Sequence, residues 1–188
     1  MKRLAIAVLL AGLAQGIAAA PLTYHLDPTH SFARYDIEHL GFSIQSGTFP
    51  AVGGTLVFDA ENHTGAVDVR IDTATIQTFN AQRDEHLRGE KFFNVAQYPA
   101  MTFKADRVVF DGDQLKQVMG TLTLLGVSKA VTLNVTHFKT GNNPMSNKPE
   151  LGASASTWIK RSDFGMSYLT PMIADDVKIE LSIEALQN

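Results

Sequence analysis

From Val177 to Ala185 every second residue is apolar. Val177, Ile179, Leu181, Ile183 and Ala185 alternate with Lys178, Glu180, Ser182 and Glu184. Successive side chains of a strand point to opposite faces, so this segment is a strand with one buried and one wet face. The pattern recurs. Val67, Val69 and Ile71 oppose Asp68, Arg70 and Asp72, and Met101, Phe103 and Ala105 oppose Thr102 and Lys104. Leu151, Ala153, Ala155, Thr157 and Ile159 oppose Gly152, Ser154, Ser156, Trp158 and Lys160. Such repetition excludes a helical bundle, and without βαβ alternation it excludes a parallel sheet.

Turn signals separate the strands. Asp111-Gly112 predicts a hairpin between Val108-Val109-Phe110 and the run from Leu115 to Leu125. Gly126-Val127-Ser128 leads into Val131, Leu133 and Val135, and the longest loop is expected from Gly141 to about Glu150. Gly53-Gly54 is expected to break a strand running from Phe42 to Phe58. About eight strands, mostly sequential neighbours, predict an all-β antiparallel meander that closes into a barrel or folds as a sandwich.

An eight-stranded barrel is just wide enough to be filled by side chains or to hold one ligand. The candidate interior residues are large (Phe58, Phe103, Phe110, Leu122, Leu124, Ile183) and small (Ala66, Gly120, Ala153, Ala155). Neighbouring side chains or a ligand can take the space the small ones leave, and periodicity leaves both open.

One segment abandons the alternation. Between Asn80 and Asn94 charged, helix-tolerant residues follow a capping Asn, with Gly89 among them, and the stretch ends in Phe92-Phe93. It predicts a short helix near residues 80–90, placed as a lid or plug that delivers two aromatics to the barrel edge. Arg83, Asp84, His86 and Arg88 are either a solvated helix face with local ion pairs or a polar collar for the head of a ligand. Arg161-Ser162-Asp163-Phe164-Gly165 offers a second side of that collar.

Lys2 and Arg3, an apolar run from Leu4 to Leu13 and small residues up to Ala20 have the form of a secretory signal peptide, too short in its apolar run to span a bilayer. Cleavage after Ala18 or Ala19 divides the chain into a leader, 1–19, and a single domain, 20–188. There is no cysteine, so an exported protein of this kind relies on its core rather than on disulfides. Without Lys2 and Arg3 the 16 basic residues fall to 14 against 19 acidic ones, a net charge of about −5. That balance argues against nucleic acid as a partner.

Catalytic and metal signals are weak. Asp27, His30 and Ser31 lie close together, but adjacent strand residues face opposite ways and no nucleophile elbow is present. The six histidines form no ligating pair, and Asp84 with His86 is a poor metal motif. No catalytic residue, metal or cofactor is expected.

Several short blocks recur in an order that resembles a known family. They include Leu26-Asp27-Pro-Thr-His30-Ser31, Glu38-His39-Leu-Gly41, Arg83-Asp84-Glu-His86-Leu87, Phe92-Phe93-Asn94, Tyr98-Pro99-Ala-Met-Thr-Phe103 and Arg161-Ser162-Asp163-Phe164-Gly165. Together the blocks span essentially the whole of 20–188 and resemble the YceI-like family of bacterial polyisoprenoid-binding proteins. The resemblance implies a lipocalin-like eight-stranded antiparallel barrel whose apolar lumen holds an isoprenoid or similar amphiphile, a quinone-like lipid included. It further implies a periplasmic carrier or store, a homodimer and transient membrane contact. On this reading Arg83, Asp84, His86 and Arg161 form the polar mouth, with Asp84 orienting an arginine. Phe58, Phe93, Phe103, Leu122, Ala153, Ala155 and Phe164 line the lumen. The alternative is an enzyme acting on an isoprenoid at the mouth through Arg83, Asp84 and His86.

Overall fold

The computed structural model describes residues 20–187; the expected leader at 1–19 lies outside the described residues. Ten strand segments build one antiparallel sheet: β1 (Leu22–Leu26), β2 (Phe32–His39), β3 (Ser43–Phe49), β4 (Val52–Asp59), β5 (Thr64–Asp72), β6 (Ala100–Asp111), β7 (Gln114–Leu124), β8 (Val127–Asn142), β9 (Pro149–Lys160) and β10 (Ile173–Leu186). The order β1-β4-β5-β6-β7-β8-β9-β10 returns from β10 to β1, so eight positions close into a barrel.

Two of those positions are long strands in two pieces. β1 pairs with β10 at Ala185 and Leu186, and β2 continues along β10 from Ser182 to Ile173. β4 lies on β1 and β3 lies on β2. The second interruption falls at Pro50–Ala51, not at the glycine pair, because proline has no N–H to give a ladder. Gly54 serves instead as a close approach. Its φ is +143°, and a Cβ there would lie 2.1 Å from the Asp68 carbonyl oxygen on β5.

Among the described residues no strand pairs with the far side of β3, which makes only an isolated bridge from Thr48 to Gln77. Residues 73–99 occupy that gap and carry α1 (Ala81–Arg88). Asn80 caps α1 by accepting from the Arg83 N–H at 3.0 Å. No residue of α1 is buried, so tertiary hydrogen bonds and the packing of Leu87 against the core hold it in place. Phe92 and Phe93 come from the turn that follows α1. This connection, not the 143–148 loop between β8 and β9, is the longest stretch outside strands among the described residues.

One end of the barrel is packed solid. Phe58 stacks on Phe110 (5.9 Å between ring centres) and meets Phe138 edge-on at 5.5 Å; His63 lies flat on Phe110 at 4.5 Å. Two sites expected to leave space do not. Phe103 Cζ lies 2.8 Å from where a Gly120 Cβ would be, so that ring takes the glycine's volume. Ala66 is exposed, because the inward face of β5 carries Gly65, Val67, Val69 and Ile71.

Candidate functional site: an apolar chamber open at one end

Away from the aromatic plug the barrel encloses a chamber of about 430 Å³, within the range of small-ligand sites. Its walls are the inward faces of eight strands: Ile37 on β2, Phe49 on β3, Ile71 on β5, Phe103 on β6, Leu122 and Leu124 on β7, Val131 and Leu133 on β8, Thr157 and Ile159 on β9, and Val177, Ile179 and Leu181 on β10. Phe92 and Phe93 close the side facing α1, and Phe93 packs edge-on against Phe49 at 5.2 Å. His86, Phe92 and Tyr168 form a cluster of edge-on rings 5.1–6.3 Å apart at the open end.

Of the seven lumen candidates, Phe93, Phe103 and Leu122 line this chamber. Phe58 does not, because it belongs to the plug. Ala153 pairs with Phe138, whose ring fills the barrel there, and it borders a smaller recess of about 260 Å³ near the closed end. Ala155 packs into the cluster of Phe103, Ala105, Val118 and Leu133. Phe164 is fully buried in the core but does not reach the chamber. The alanine face lies beside the wall's bulky aromatics, and those take the space it leaves.

The four mouth candidates divide as sharply. Arg161 is 3% exposed, and all five of its guanidinium N–H groups are engaged. Nε donates to Ala174 O at 2.8 Å, Nη1 to Met166 O and Tyr168 O at 2.9 Å, and Nη2 to Thr170 Oγ1 at 2.7 Å and Ile173 O at 2.9 Å. Burial lowers its pKa, opposed by the Asp175 charge. With no donor left for a ligand, Arg161 is a brace for the loop before β10 rather than a head-group contact.

Arg83, His86 and Arg161 line the chamber; Asp84 does not. Asp84 Oδ1 accepts from the Thr78 N–H at 2.8 Å and from the Thr78 hydroxyl at 2.5 Å. It therefore holds Thr78 and reaches Arg83 only through it. Arg83 Nε donates to Thr78 Oγ1 at 2.8 Å, Nη2 to Thr78 O at 2.6 Å and Nη1 to Gln45 Oε1 at 3.1 Å. These bonds tie α1 to β3 across the gap in the wall and leave two guanidinium N–H groups of Arg83 over.

Sequence reasoning missed Tyr35. It pairs with Gly47 across β2 and β3 and lines the chamber beside Arg83. Burial pushes its phenol up to about 12, with the Arg83 charge pulling the other way and the Asp84 charge adding to the rise. Tyr35 therefore stays protonated and offers an O–H. The signal in the sequence was the inward register of Ala33, Tyr35 and Ile37, which the charged neighbours Arg34, Asp36 and Glu38 make legible.

An antiparallel barrel sealed at one end around an apolar chamber, with a few donors near its opening, defines a binding barrel of lipocalin-like type. A family model described as the YceI-like domain matches residues 24–185. Protein YceI of Salmonella arizonae is 36% identical over 173 residues, covering 90% of each chain. The chain belongs to the YceI-like family. A Campylobacter jejuni YceI protein structure matches with TM-score 0.68 at 31% identity, covering 81% of this chain and 90% of that one. Burkholderia cenocepacia BcnA shares the fold (TM-score 0.74, 22% identity, 85% and 98% covered). So does a polyisoprenoid binding domain from Saccharophagus degradans (TM-score 0.67, 19% identity, 89% and 99% covered).

Proposed function

We infer that the chamber binds one long-chain isoprenoid or similar amphiphile, and that the protein carries or stores it in the periplasm after the leader is removed. The observation that supports this most is the chamber itself, about 430 Å³ behind a wall of aliphatic and aromatic side chains and backed by the packed rings of Phe58, Phe110 and Phe138. Each buried methylene contributes about 0.8 kcal/mol, so a prenyl chain of ten or more such groups has ample gross driving force before binding costs. The Saccharophagus domain described as polyisoprenoid binding has the same fold, which supports an isoprenoid as the chain.

The polar end of the ligand lies against the two remaining N–H groups of Arg83 and the Tyr35 hydroxyl, where an acceptor oxygen takes both. Binding rather than catalysis is supported by the use already made of the ionisable groups. The Asp84 carboxylate is held by Thr78 and most Arg83 donors by Thr78 and Gln45, which leaves His86 without an acid or base partner among them.

Native mass spectrometry of protein isolated from a bacterial periplasm, followed by lipid extraction, tests the reading. A stoichiometric prenyl lipid is expected. Protein that carries no lipid and takes up none when offered, or that converts the lipid with loss of turnover in His86→Ala, would contradict it.

A further inference from the structure

The rim of the chamber holds large apolar side chains out of the fold. Phe79 is 97% exposed, Phe42 90%, Ile44 61%, Met172 56% and Leu40 48%. They come from three separate segments: the β2–β3 turn with the start of β3, the connection into α1, and the loop before β10. The Leu40 N–H donates to Met172 O at 3.0 Å, which joins the first segment to the third, and the Thr48–Gln77 bridge sets the second beside β3. Leu40 and Phe79 sit at φ +55° and +60°, left-handed backbone that bulky residues rarely adopt. Such conformations persist where their surroundings force them, and they gather at active sites, ligand clamps and switch regions.

The surroundings here are the two polar clusters. Asp84 and Arg83 grip the backbone of Thr78, and Asn80 caps α1, so Phe79 is pinned on both sides with its ring outward. Arg161 grips the carbonyls of Met166, Tyr168 and Ile173, which fixes the loop that presents Met172. Buried and half-buried arginines thus hold apolar tips in water, an arrangement that gains the isolated fold nothing.

We propose that this rim inserts into the interfacial layer of a lipid bilayer and that the chamber loads and unloads there. The proposal rests on the lumen reading and deepens it by naming the surface from which the occupant comes. His39, Gln45 and Ile173, which adjoin these side chains, line the apolar chamber, as does Arg83, which holds Thr78 next to Phe79. Phe42 and Phe79 come from separate segments and are each almost fully exposed. A protein interface needs a contiguous, packed apolar core, whereas isolated aromatic tips suit the headgroup layer. The acidic balance of the chain directs it to zwitterionic rather than anionic lipid.

Flotation with phosphatidylcholine vesicles tests this on the protein without its leader and on a Phe42→Ser/Phe79→Ser variant. Neither side chain lines the chamber, and a melt checks that the variant folds. The wild type is expected to float, and the variant to bind at least about tenfold more weakly. Uptake of geranylgeraniol from vesicles should slow in the variant, while uptake of geranylgeraniol delivered in dilute detergent stays the same. A wild type that does not float, or a variant that floats equally well, overturns the proposal. So does a wild-type dimer that the double substitution converts to a monomer, since the rim is then the contact with a second copy. If neither protein takes up geranylgeraniol by either route but flotation behaves as expected, the lumen reading fails and the rim stands.

Discussion

The phenol of Tyr35 lies directly across the backbone of Gly47, with its hydroxyl oxygen 2.6 Å from where a Gly47 Cβ would stand. The two residues are cross-strand partners, so glycine here makes room for a tyrosine that leans over the neighbouring strand. Gly47→Ala forces the ring toward the chamber. It should lower stability by about 1–3 kcal/mol, the range for overpacking, and weaken binding of a long chain. Chemical denaturation of Gly47→Ala alone and with Tyr35→Leu checks the cause. The cost of the alanine should largely vanish in the Tyr35→Leu background; an undiminished cost would place its origin elsewhere.

Arg161 is expected to be a stability residue. Arg161→Ala leaves the carbonyls of Met166, Tyr168, Ile173 and Ala174 without their shared donor and should lower the unfolding free energy by about 3–5 kcal/mol. Arg161→Lys should recover little, because an ammonium cannot reproduce a planar five-donor fork. Urea titration of the three proteins measures both effects.

The join between β1 and β2 responds to pH in a defined direction. Asp27 Oδ2 and His30 Nδ1 are 2.8 Å apart, and Glu184 lies 3.8 Å from the same nitrogen. Hydrogen bonds from Thr29 and His30 hold the Asp27 carboxyl down to about 2, while the Asp27 hydrogen bond and charge raise His30 above its ordinary 6.5. A raised histidine contributes in full below about 6.5 and loses its contribution as pH climbs through the raised value. A depressed aspartate contributes above 3.8 and loses it as pH falls toward 2. The pair therefore stabilises most between about pH 4 and 6.5. The melting-temperature gap between wild type and His30→Ala should be widest there and should narrow by pH 9. A gap that widens with rising pH would contradict the assignment.

Arg83→Ala separates pinning from recognition. Loss of a charged hydrogen bond, worth about 1.5–3 kcal/mol, should weaken a ligand with a polar oxygen head by about tenfold or more. A plain hydrocarbon of equal length should be little affected. Calorimetric titration of both ligands, alongside a melt, gives the answer. Equal losses for the two would leave Arg83 only as the tie between α1 and β3.

Strand periodicity carried the architecture. Val177 to Ala185 and Leu151 to Ile159 occupy the faces that their alternation dictates, because one face of each is buried against a continuous interior. The helix near residue 80 was legible from Asn80 and the lapse in alternation. Alternation reports which face is inward but not what fills the interior. Ala153 and Ala155 point inward, yet they lie beside Phe138 and Phe103, brought there by strand pairing that no local pattern encodes. The bracing role of Arg161 was hidden for a related reason. Its five partners are mostly backbone carbonyls of a loop, and no residue type in the sequence announces a carbonyl cluster.

The central claim is that the chamber itself is the binding site, and obstructing it is the direct test. Thr157 on β9 and Leu133 on β8 both line it and belong to neither the exposed rim nor the polar mouth. Thr157→Phe and Leu133→Trp each fill volume from a different wall. Geranylgeraniol titrated into the wild type should bind at one per chain, and each filled variant should bind at least about tenfold more weakly while keeping a cooperative melt. Unchanged affinity in both folded variants would show that the ligand lies outside the lumen.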